Sequence, residues 1–426
     1  MNVLIIGSGG REHAIAYKIK QSSLLEKLYS IHGNAGLAEI SESVKIKQNN
    51  FDDIINFIKE KNIRFVIVGP EQPLAEGIVN ILKNKNISVF GPSKEAAMLE
   101  SSKSFAKDFM QNYNIPTASY KVFTREQKAD VLDFLQNSKF PVVIKADGLA
   151  AGKGVVIPTC LNEAKQTIED FFDKNIFGSS ADKIVIEEFL TGEEASIFAI
   201  SDGDDFVILS SAQDHKRAFD NDEGKNTGGM GAYSPAPMVN DKILNEIKER
   251  IVISTIQGMK KEGTPFVGCL YCGLIITSEG PKVIEFNCRF GDPETQAVLP
   301  LVESDVLELL YLAATSGLKN YKLSISNKTA LCVVMVSKGY PDKYETDKII
   351  NGLKDLNNET LVFHAGTKTK DGIVLTSGGR VLGITVLSKS LKEAISKVYS
   401  EVGKVSFDGV YYRKDIGKKG LKYYKG

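Results

Sequence analysis

The sequence predicts a multidomain protein of the α/β and α+β classes. An N-terminal parallel-sheet α/β domain leads, a mixed centre with an inserted unit follows, and a C-terminal β-rich domain closes the chain. Three observations predict this. The chain has 426 residues, enough for about three domains. Up to about residue 100, short apolar strands alternate with amphipathic helices, the mark of a parallel sheet covered by helices. From about residue 330, strand signals dominate.

The N-terminal elements follow in order: strand "NVLIIG", helix "REHAIAYKIKQS", strand "LYSIHG", helix "FDDIINFIKEK", strand "RFVIVGPE", helix "LAEGIVNILKNK" and strand "ISVFGP". Phe51, Ile54, Ile55 and Ile58 stand at i, i+3, i+4 and i+7, a helical stripe. One longer helix is expected from Ser93 to Tyr113, then a linker and strand in "IPTASYKVF". Thr124 and Gln127 form a capping box. "PVVIKAD" and "GVVIP" are strands, 162–174 a helix and "KIVIEEFL" a strand, so 122–190 reads as a small β-rich insert. Strands "EASIFAI" and "FVILSSAQDHKR" precede a glycine-rich loop, "EGKNTGGMGAYSPAP". A helix then presents Leu244, Ile247 and Ile251 on one face. Strands "GCLYCGLIIT" and "KVIEFNCRF" lead to a helix near 303–315. In the last unit "TALCVVMVS" is a strand, "TSGGRVLGITVLS" a strand pair turning at its glycines, and "SLKEAISKVYSEV" a helix. The last ten residues are expected to fray.

Composition bounds the function. Apolar residues make up 42% and charged residues 25%, ordinary for a globular chain. Lys+Arg and Asp+Glu both number 53, which argues against nucleic-acid or membrane-surface partners. The N-terminal apolar run, Val3 to Ile6, lacks a preceding basic region and is no signal peptide. No stretch approaches the ~18 apolar residues of a membrane span. Five scattered cysteines fit a reducing compartment. A cytoplasmic monomer is expected. Cys269 and Cys272 form a lone C-x-x-C, but in a strand i and i+3 face opposite ways. Buried thiols acting as small hydrophobes are expected there, rather than a metal pair.

The stretch "KADGLAAGKGVVI", Lys145 to Ile157, carries three glycines. A P-loop reads G-x-x-x-x-G-K-[ST] before a helix. Here Gly148 and Gly152 are one residue too close, Gly154 stands where a hydroxyl belongs, and a strand follows. The stretch is therefore a glycine-rich hairpin able to fold over a triphosphate; a plain connector would rarely need seven residues. In "KVIEFNCRFGDPETQ", strand alternation puts Ile284, Phe286 and Cys288 toward a core and Glu285, Asn287 and Arg289 on the other face. Two hard oxygens suit magnesium and the guanidinium suits a carboxylate or phosphate; the bland alternative is a solvated strand face. "VIEEFLTGEEAS" could meet a purine with its backbone and ribose with a glutamate, or be an acidic rim. "GSGGREH", "HGNAG" and "GPEQP" sit at strand carboxyl ends, where open α/β sheets bind ligands. "GSGGREH" also opens a helix, which favours an anion. A dinucleotide fingerprint would need a third glycine where Glu12 stands, and an acidic residue near position 32. A single phosphate beside Arg11 fits better.

Together these stretches resemble the ATP-grasp superfamily and, within it, the phosphoribosylamine–glycine ligase (glycinamide ribonucleotide synthetase) family. The resemblance spans nearly the whole chain, from "GSGGREHA" to "YYRKDIG", and rests on "KADGLAAGKGV", "AQDHKR", "NTGGMGAYSPAP" and "VIEFNCRFGDPETQ". It implies an N-terminal substrate domain (1–101), an ATP-grasp core (102–121 and 191–328), an inserted lid (122–190) and a C-terminal β-rich domain (329–426). It also implies ligation of glycine to 5-phosphoribosylamine with ATP and Mg2+ (or Mn2+), by way of glycyl phosphate. By the same resemblance Lys103 and Lys145 contact ATP phosphates, and Gly148, Gly152, Lys153 and Gly154 belong to the closing loop. Glu187, Phe189 and Leu190 bind adenine, Glu194 the ribose, and Glu285 and Asn287 the metal. Gly9, Gly10, Arg11, Asn34, Gly36 and Glu71 face phosphoribosylamine, while Asp214, Arg289, Pro293 and Thr295 line the glycine and sugar-phosphate side. Catalysis is expected to depend on Lys145, Arg289 and Asp214. His215 is a further candidate base, though a lone histidine is more often structural. The rival readings are a dinucleotide-dependent oxidoreductase, which Glu12 disfavours, and a non-catalytic nucleotide sensor, which the Glu285/Asn287 pair disfavours.

Overall fold

The computed structural model describes residues 1–150 and 152–424. Five parallel strands form the N-terminal sheet, in the order Glu42–Val44, Lys27–Ile31, Asn2–Ile6, Ile63–Val68, Ser88–Phe90. Four are the expected strands; Glu42–Val44, short and mostly polar, carries no apolar signal. The sheet winds outward in both directions from Asn2–Ile6, so its ligand crevice lies at the strand carboxyl ends beside Gly7–Arg11.

Two expected helices are each broken. Gly77, at φ +93, divides 71–84 into Glu71–Glu76 and Ile78–Asn84. Ser102 is extended and its hydroxyl accepts from the Phe105 amide at 3.3 Å, so 98–112 becomes Met98–Ser101 and Lys103–Asn112. A serine cap outcompetes helix continuation there.

The central antiparallel sheet runs Phe206–Ile208, Glu193–Asp202, Val267–Thr277, Gly280–Asn287. Strand alternation builds two cores that bridge it to the N-terminal sheet. Leu4, Ile6, Ile197, Leu270 and Cys272 share one; Val3, Ile5, Phe198, Cys269 and Tyr271 share the other. Cys269 and Cys272 therefore lie in different cores, and burial pushes both thiols up.

Residues 120–188 form a four-stranded antiparallel sheet with its own core around Phe123, Leu135, Ile144, Ile168 and Ile184. The Thr124 amide donates to Gln127 Oε1 at 2.9 Å, as the capping signal predicts.

The expected glycine-rich loop is a correction. It contains strands Glu223–Asn226 and Gly231–Ser234, and the latter joins the C-terminal sheet beside Thr329–Val336. A Cβ at Gly231 would lie 2.6 Å from Cys332 O, so glycine permits the approach. "FVILSSAQDHKR" is likewise three short strands, of which Gln213–Asp214 edges the C-terminal sheet. Ile373–Thr376 and Arg380–Ser388 do not pair with each other: the first pairs with Thr367–Lys370, the second with Thr329–Val336 and Leu361–His364. Nor does the tail fray as expected up to Tyr424. Lys418–Tyr423 is a 3-10 helix whose Gly420 packs on Leu391 and Tyr233; Lys425 and Gly426 lie outside the described residues. No described helix is long and apolar enough to cross a membrane.

Candidate active site

The hairpin forms as expected, with Ile144 opposite Val156 and Lys145 opposite Val155. Its three glycines have distinct causes. Gly152 sits at φ +73 in open space; a Cβ at Gly148 would lie 2.9 Å from Ser180, and one at Gly154 2.7 Å from Ala150 Cβ. Lys153 stays exposed at the tip, and its amide donates to Ala150 O at 2.9 Å. Ala151, within the expected closing loop, lies outside the described residues.

Lys145 points inward from the root of this hairpin. It forms an ion pair with Glu187 Oε1 at 2.8 Å and donates to Ile284 O at 3.1 Å. Glu187 Oε2 lies 3.0 Å from Lys107 Nζ, which also donates to Thr117 Oγ1 at 2.7 Å. All three charged groups are buried. The Glu187 carboxylate, expected at adenine, is thus committed to two lysines. Phe189 and Leu190 follow the strand's last ladder pair at Glu188, and Phe189 is exposed.

The strand Gly280–Asn287 departs from simple alternation at one point. Gly273 pairs with Glu285 but Leu274 pairs with Val283, which leaves Ile284 as a bulge. Val283, not Ile284, is the buried residue, contrary to expectation. A bulge inserts one unpaired residue and bends its strand; here it frees the Ile284 carbonyl for Lys145. Beyond it, Phe286 and Cys288 are buried and Glu285, Asn287 and Arg289 share the other face, as expected. Burial raises the Glu285 carboxyl, but Lys216, Lys145, Lys103 and Arg289 outweigh it and hold it below the usual range. Hairpin root, helix Lys103–Asn112 and strand face therefore converge on one charged locus. Lys103 Nζ itself donates to Gly148 O at 3.1 Å.

Arg289 pairs with Glu71 at 3.3 Å and with buried Glu100 at 3.0 Å. Arg289 and Arg11 both donate to Phe290 O, at 3.3 and 3.2 Å. Asp214 is half-buried on the same side as Lys216. Loss of solvent, opposed by Lys216 and aided by Glu294 and Glu194, pushes its carboxyl up to about 7. Lys216 also pairs with Glu194 at 3.0 Å. Glu294 accepts from Tyr271 at 2.9 Å and from Ser196 at 3.2 Å. Pro293 fits under Gly229, where a Cβ would lie 2.3 Å from its Cδ. The Thr295 side chain, expected at substrate, is buried and donates to Gly291 O within its own turn.

His215 faces away from this cluster. Its Nε2 accepts from the Gly417 amide at 3.4 Å, and burial together with Arg413 and Lys419 holds it down at about 4. The candidate base is a packing residue against the C-terminal tail.

At the N-terminal crevice Glu12 occupies the space of the missing third glycine. It accepts from the Gly9 amide at 2.6 Å, and a Cβ on Gly69 would lie 2.2 Å from its Oε1. The cradle a pyrophosphate would use is filled by this side chain. Gly10 opens the helix against Gln296, whose amide a Cβ would meet at 2.6 Å. Asn34, expected at substrate, spends its side chain on His364 O (2.5 Å), Ser8 O (2.9 Å) and the Leu37 amide (2.8 Å). A Cβ at Gly36 would lie 2.1 Å from the His13 ring.

His13 Nδ1 accepts from the His364 amide at 2.8 Å. Burial, then His364, holds His13 down at about 3, and burial holds His364 at about 4. Both stay neutral in the fold, whereas unfolded histidines take up protons below about 6.5. The unfolded chain thus binds more protons as pH falls from about 6.5 to 4, so stability falls with pH there. The urea midpoint is expected to drop across that window, and to drop less in His13→Gln. Equal drops in both proteins would contradict this.

Sequence reasoning missed Lys107, Glu100, Lys216 and Glu294. Lys107 stands four residues after Lys103 on one helix, and Lys216 two after Asp214 along an extended segment, so both shared a face legible in advance. Glu100 and Glu294 carry no local signal.

Residues 1–100 match the phosphoribosylglycinamide synthetase N domain, 101–295 its ATP-grasp (A) domain, and 330–419 its C domain. The chain is 49% identical over 416 residues to the phosphoribosylamine–glycine ligase of Caldanaerobacter subterraneus subsp. tengcongensis, covering 98% of this chain and 99% of that one. It is 47% identical to that of Halalkalibacterium halodurans, covering 99% and 97%. The crystal structure of phosphoribosylamine–glycine ligase from Thermotoga maritima superposes with a TM-score of 0.83 at 36% identity, covering 98% of this chain and 100% of that one. A biotin carboxylase from Campylobacter jejuni shares the fold at TM-score 0.75 and 16% identity, covering 98% and 94%. The chain belongs to the phosphoribosylglycinamide synthetase family, the ATP-grasp carbon–nitrogen ligases that join glycine to 5-phosphoribosylamine with ATP in purine biosynthesis.

Proposed function

We propose that the ligation runs through glycyl phosphate, at the junction of the 145–156 hairpin with the Glu285–Arg289 strand face. The observation that carries this is the convergence of Lys103, Lys145, Lys216 and Arg289 on Glu285. The glycine carboxylate attacks the γ-phosphorus, ADP leaves, and glycyl phosphate forms. The amine of phosphoribosylamine then attacks the acyl carbon and phosphate leaves. Nucleophile and triphosphate are both anionic, so fixed cations must offset their repulsion. Lys103 and Lys145 serve the phosphates, and a carboxylate needs no base.

Glu285 and Asn287 offer hard oxygens to Mg2+ or Mn2+, which would neutralise phosphate charge when bound. No cluster of three or more His, Cys, Asp or Glu side chains could hold a metal among the described residues. Phosphate oxygens and water would complete the ligand set. The 122–190 insert acts as the lid over 102–121 and 191–328, shielding the acyl phosphate from water, with Gly148, Gly152, Lys153 and Gly154 at its tip. Phe189, Leu190 and Glu194 border adenosine. Gly9, Gly10, Arg11, Glu71, Asp214, Arg289 and Pro293 face the other substrates. Asn34, Gly36 and Thr295 shape the wall, since their polar atoms or space are already used. The enzyme is read as a cytoplasmic monomer.

ADP release should require both glycine and phosphoribosylamine; release with neither would overturn this reading. Glu285→Ala should shift the Mg2+ titration upward by roughly tenfold, because one of two protein oxygen ligands is gone. An unchanged titration would remove Glu285 from the metal site.

A further inference from the structure

Lys107 has no place in the reaction described so far, yet it is 2% exposed and its charge is buried against Glu187. A lysine in such a position needs a reason, because an ammonium out of water is costly unless paired. Its position supplies one. Glu187 is shared between Lys145 on Oε1 and Lys107 on Oε2, at 2.8 and 3.0 Å. With Lys145 as its only partner, Glu187 would form a neutral pair, and Lys145 would offer a triphosphate a dipole instead of a charge. Two lysines around one carboxylate carry a net charge of +1.

Geometry keeps the roles of the two lysines separate. Lys107 lies on helix Lys103–Asn112, tied to Thr117 Oγ1, which in turn donates to Val283 O at 2.7 Å. Its ammonium lies 5.8 Å from the Tyr120 ring. Lys145 lies 2.8 Å from Glu187 Oε1 as an ion pair and donates one N–H to Ile284 O. A lysine has three donors, so at least one remains for a phosphate oxygen.

We propose that Lys107 is a positioning residue for the ligation: by sharing Glu187 it leaves the Lys145 charge uncancelled and available to the triphosphate of ATP. This rests on the reading that Lys145 contacts phosphate. The site therefore works by charge count as well as by contact. Removing Lys107 should harm ATP use although Lys107 touches no substrate, and removing the Glu187 charge as well should restore it.

The test is steady-state kinetics with ATP varied, at saturating glycine and phosphoribosylamine, for Lys107→Met, Glu187→Gln and the double variant. Lys107→Met is expected to raise the KM for ATP and lower kcat/KM about 10- to 50-fold, as loss of one unit charge several ångströms away implies at an effective dielectric constant near 20. The double variant again has one uncancelled lysine and should return to within about fivefold of wild type by the same count. A double variant as impaired as Lys107→Met, or more so, would overturn the proposal and leave Lys107 a packing group. If Lys107→Met alone fails to fold, Glu187→Gln and the double variant carry the test. An ATP KM for the double variant within about fivefold of wild type, which carries the same net charge, supports the charge count, and a rise of about tenfold or more over wild type overturns it. Lys145→Ala, run alongside, separates the two readings. If its KM for ATP and its kcat are normal, the phosphate role of Lys145 fails. If it is impaired while the double variant stays impaired, only the role of Lys107 fails.

Discussion

Lys145→Ala is expected to lower kcat by about 10²–10³-fold, the range for losing one preorganised charge-stabilising donor. The loss should come without unfolding. Glu187 keeps Lys107 as a partner at 3.0 Å, so no buried carboxylate is stranded. A thermal melt close to wild type, beside a collapsed turnover, is the expected pair of results. Near-normal turnover would separate Lys145 from the triphosphate. A large loss of stability would show that the lysine's main work is structural.

Arg289→Met should damage stability and activity together. Arg289 neutralises Glu100, which is buried, and Glu71, which is partly exposed. Burial raises the Glu100 carboxyl above the usual range, and Arg289 offsets only part of that rise. Removing one partner of a buried pair costs on the order of 3–5 kcal/mol, because a charge is left uncompensated. The urea midpoint should fall accordingly. Adding Glu100→Gln should recover much of that stability, since the stranded charge is gone. It should not recover turnover, because the guanidinium proposed to face the substrate is still missing. Recovery of both would mean that Arg289 acts only by holding the fold.

Much of the architecture was legible because it rests on local rules. Val3, Ile5 and Leu4, Ile6 alternate into two cores, and strand–helix alternation marked the parallel sheet. The strand face of Glu285, Asn287 and Arg289 followed from a period of two. What the sequence concealed was set by long-range contacts. The bulge at Ile284 depends on its pairing with the strand Val267–Thr277 and has no signature of its own. Gly231–Ser234 reads as loop because only its partner, Thr329–Val336, makes it a strand. The break at Ser102 was visible in principle, since serine before a helix is a cap. The commitment of Glu187 to two lysines could not be read from "VIEEFL", as Lys107 lies 80 residues earlier and reaches it only through the fold. His215 invited a catalytic role by its neighbours in sequence, but a side chain next to Asp214 along an extended segment faces the opposite way.

A co-crystal structure with a non-hydrolysable ATP analogue and Mn2+ tests the convergence most directly. The anomalous manganese signal should lie within coordination distance of both Glu285 and Asn287, with the triphosphate against Lys145 and the backbone of 148–154. A triphosphate bound in another crevice, or manganese away from that strand face, would contradict it.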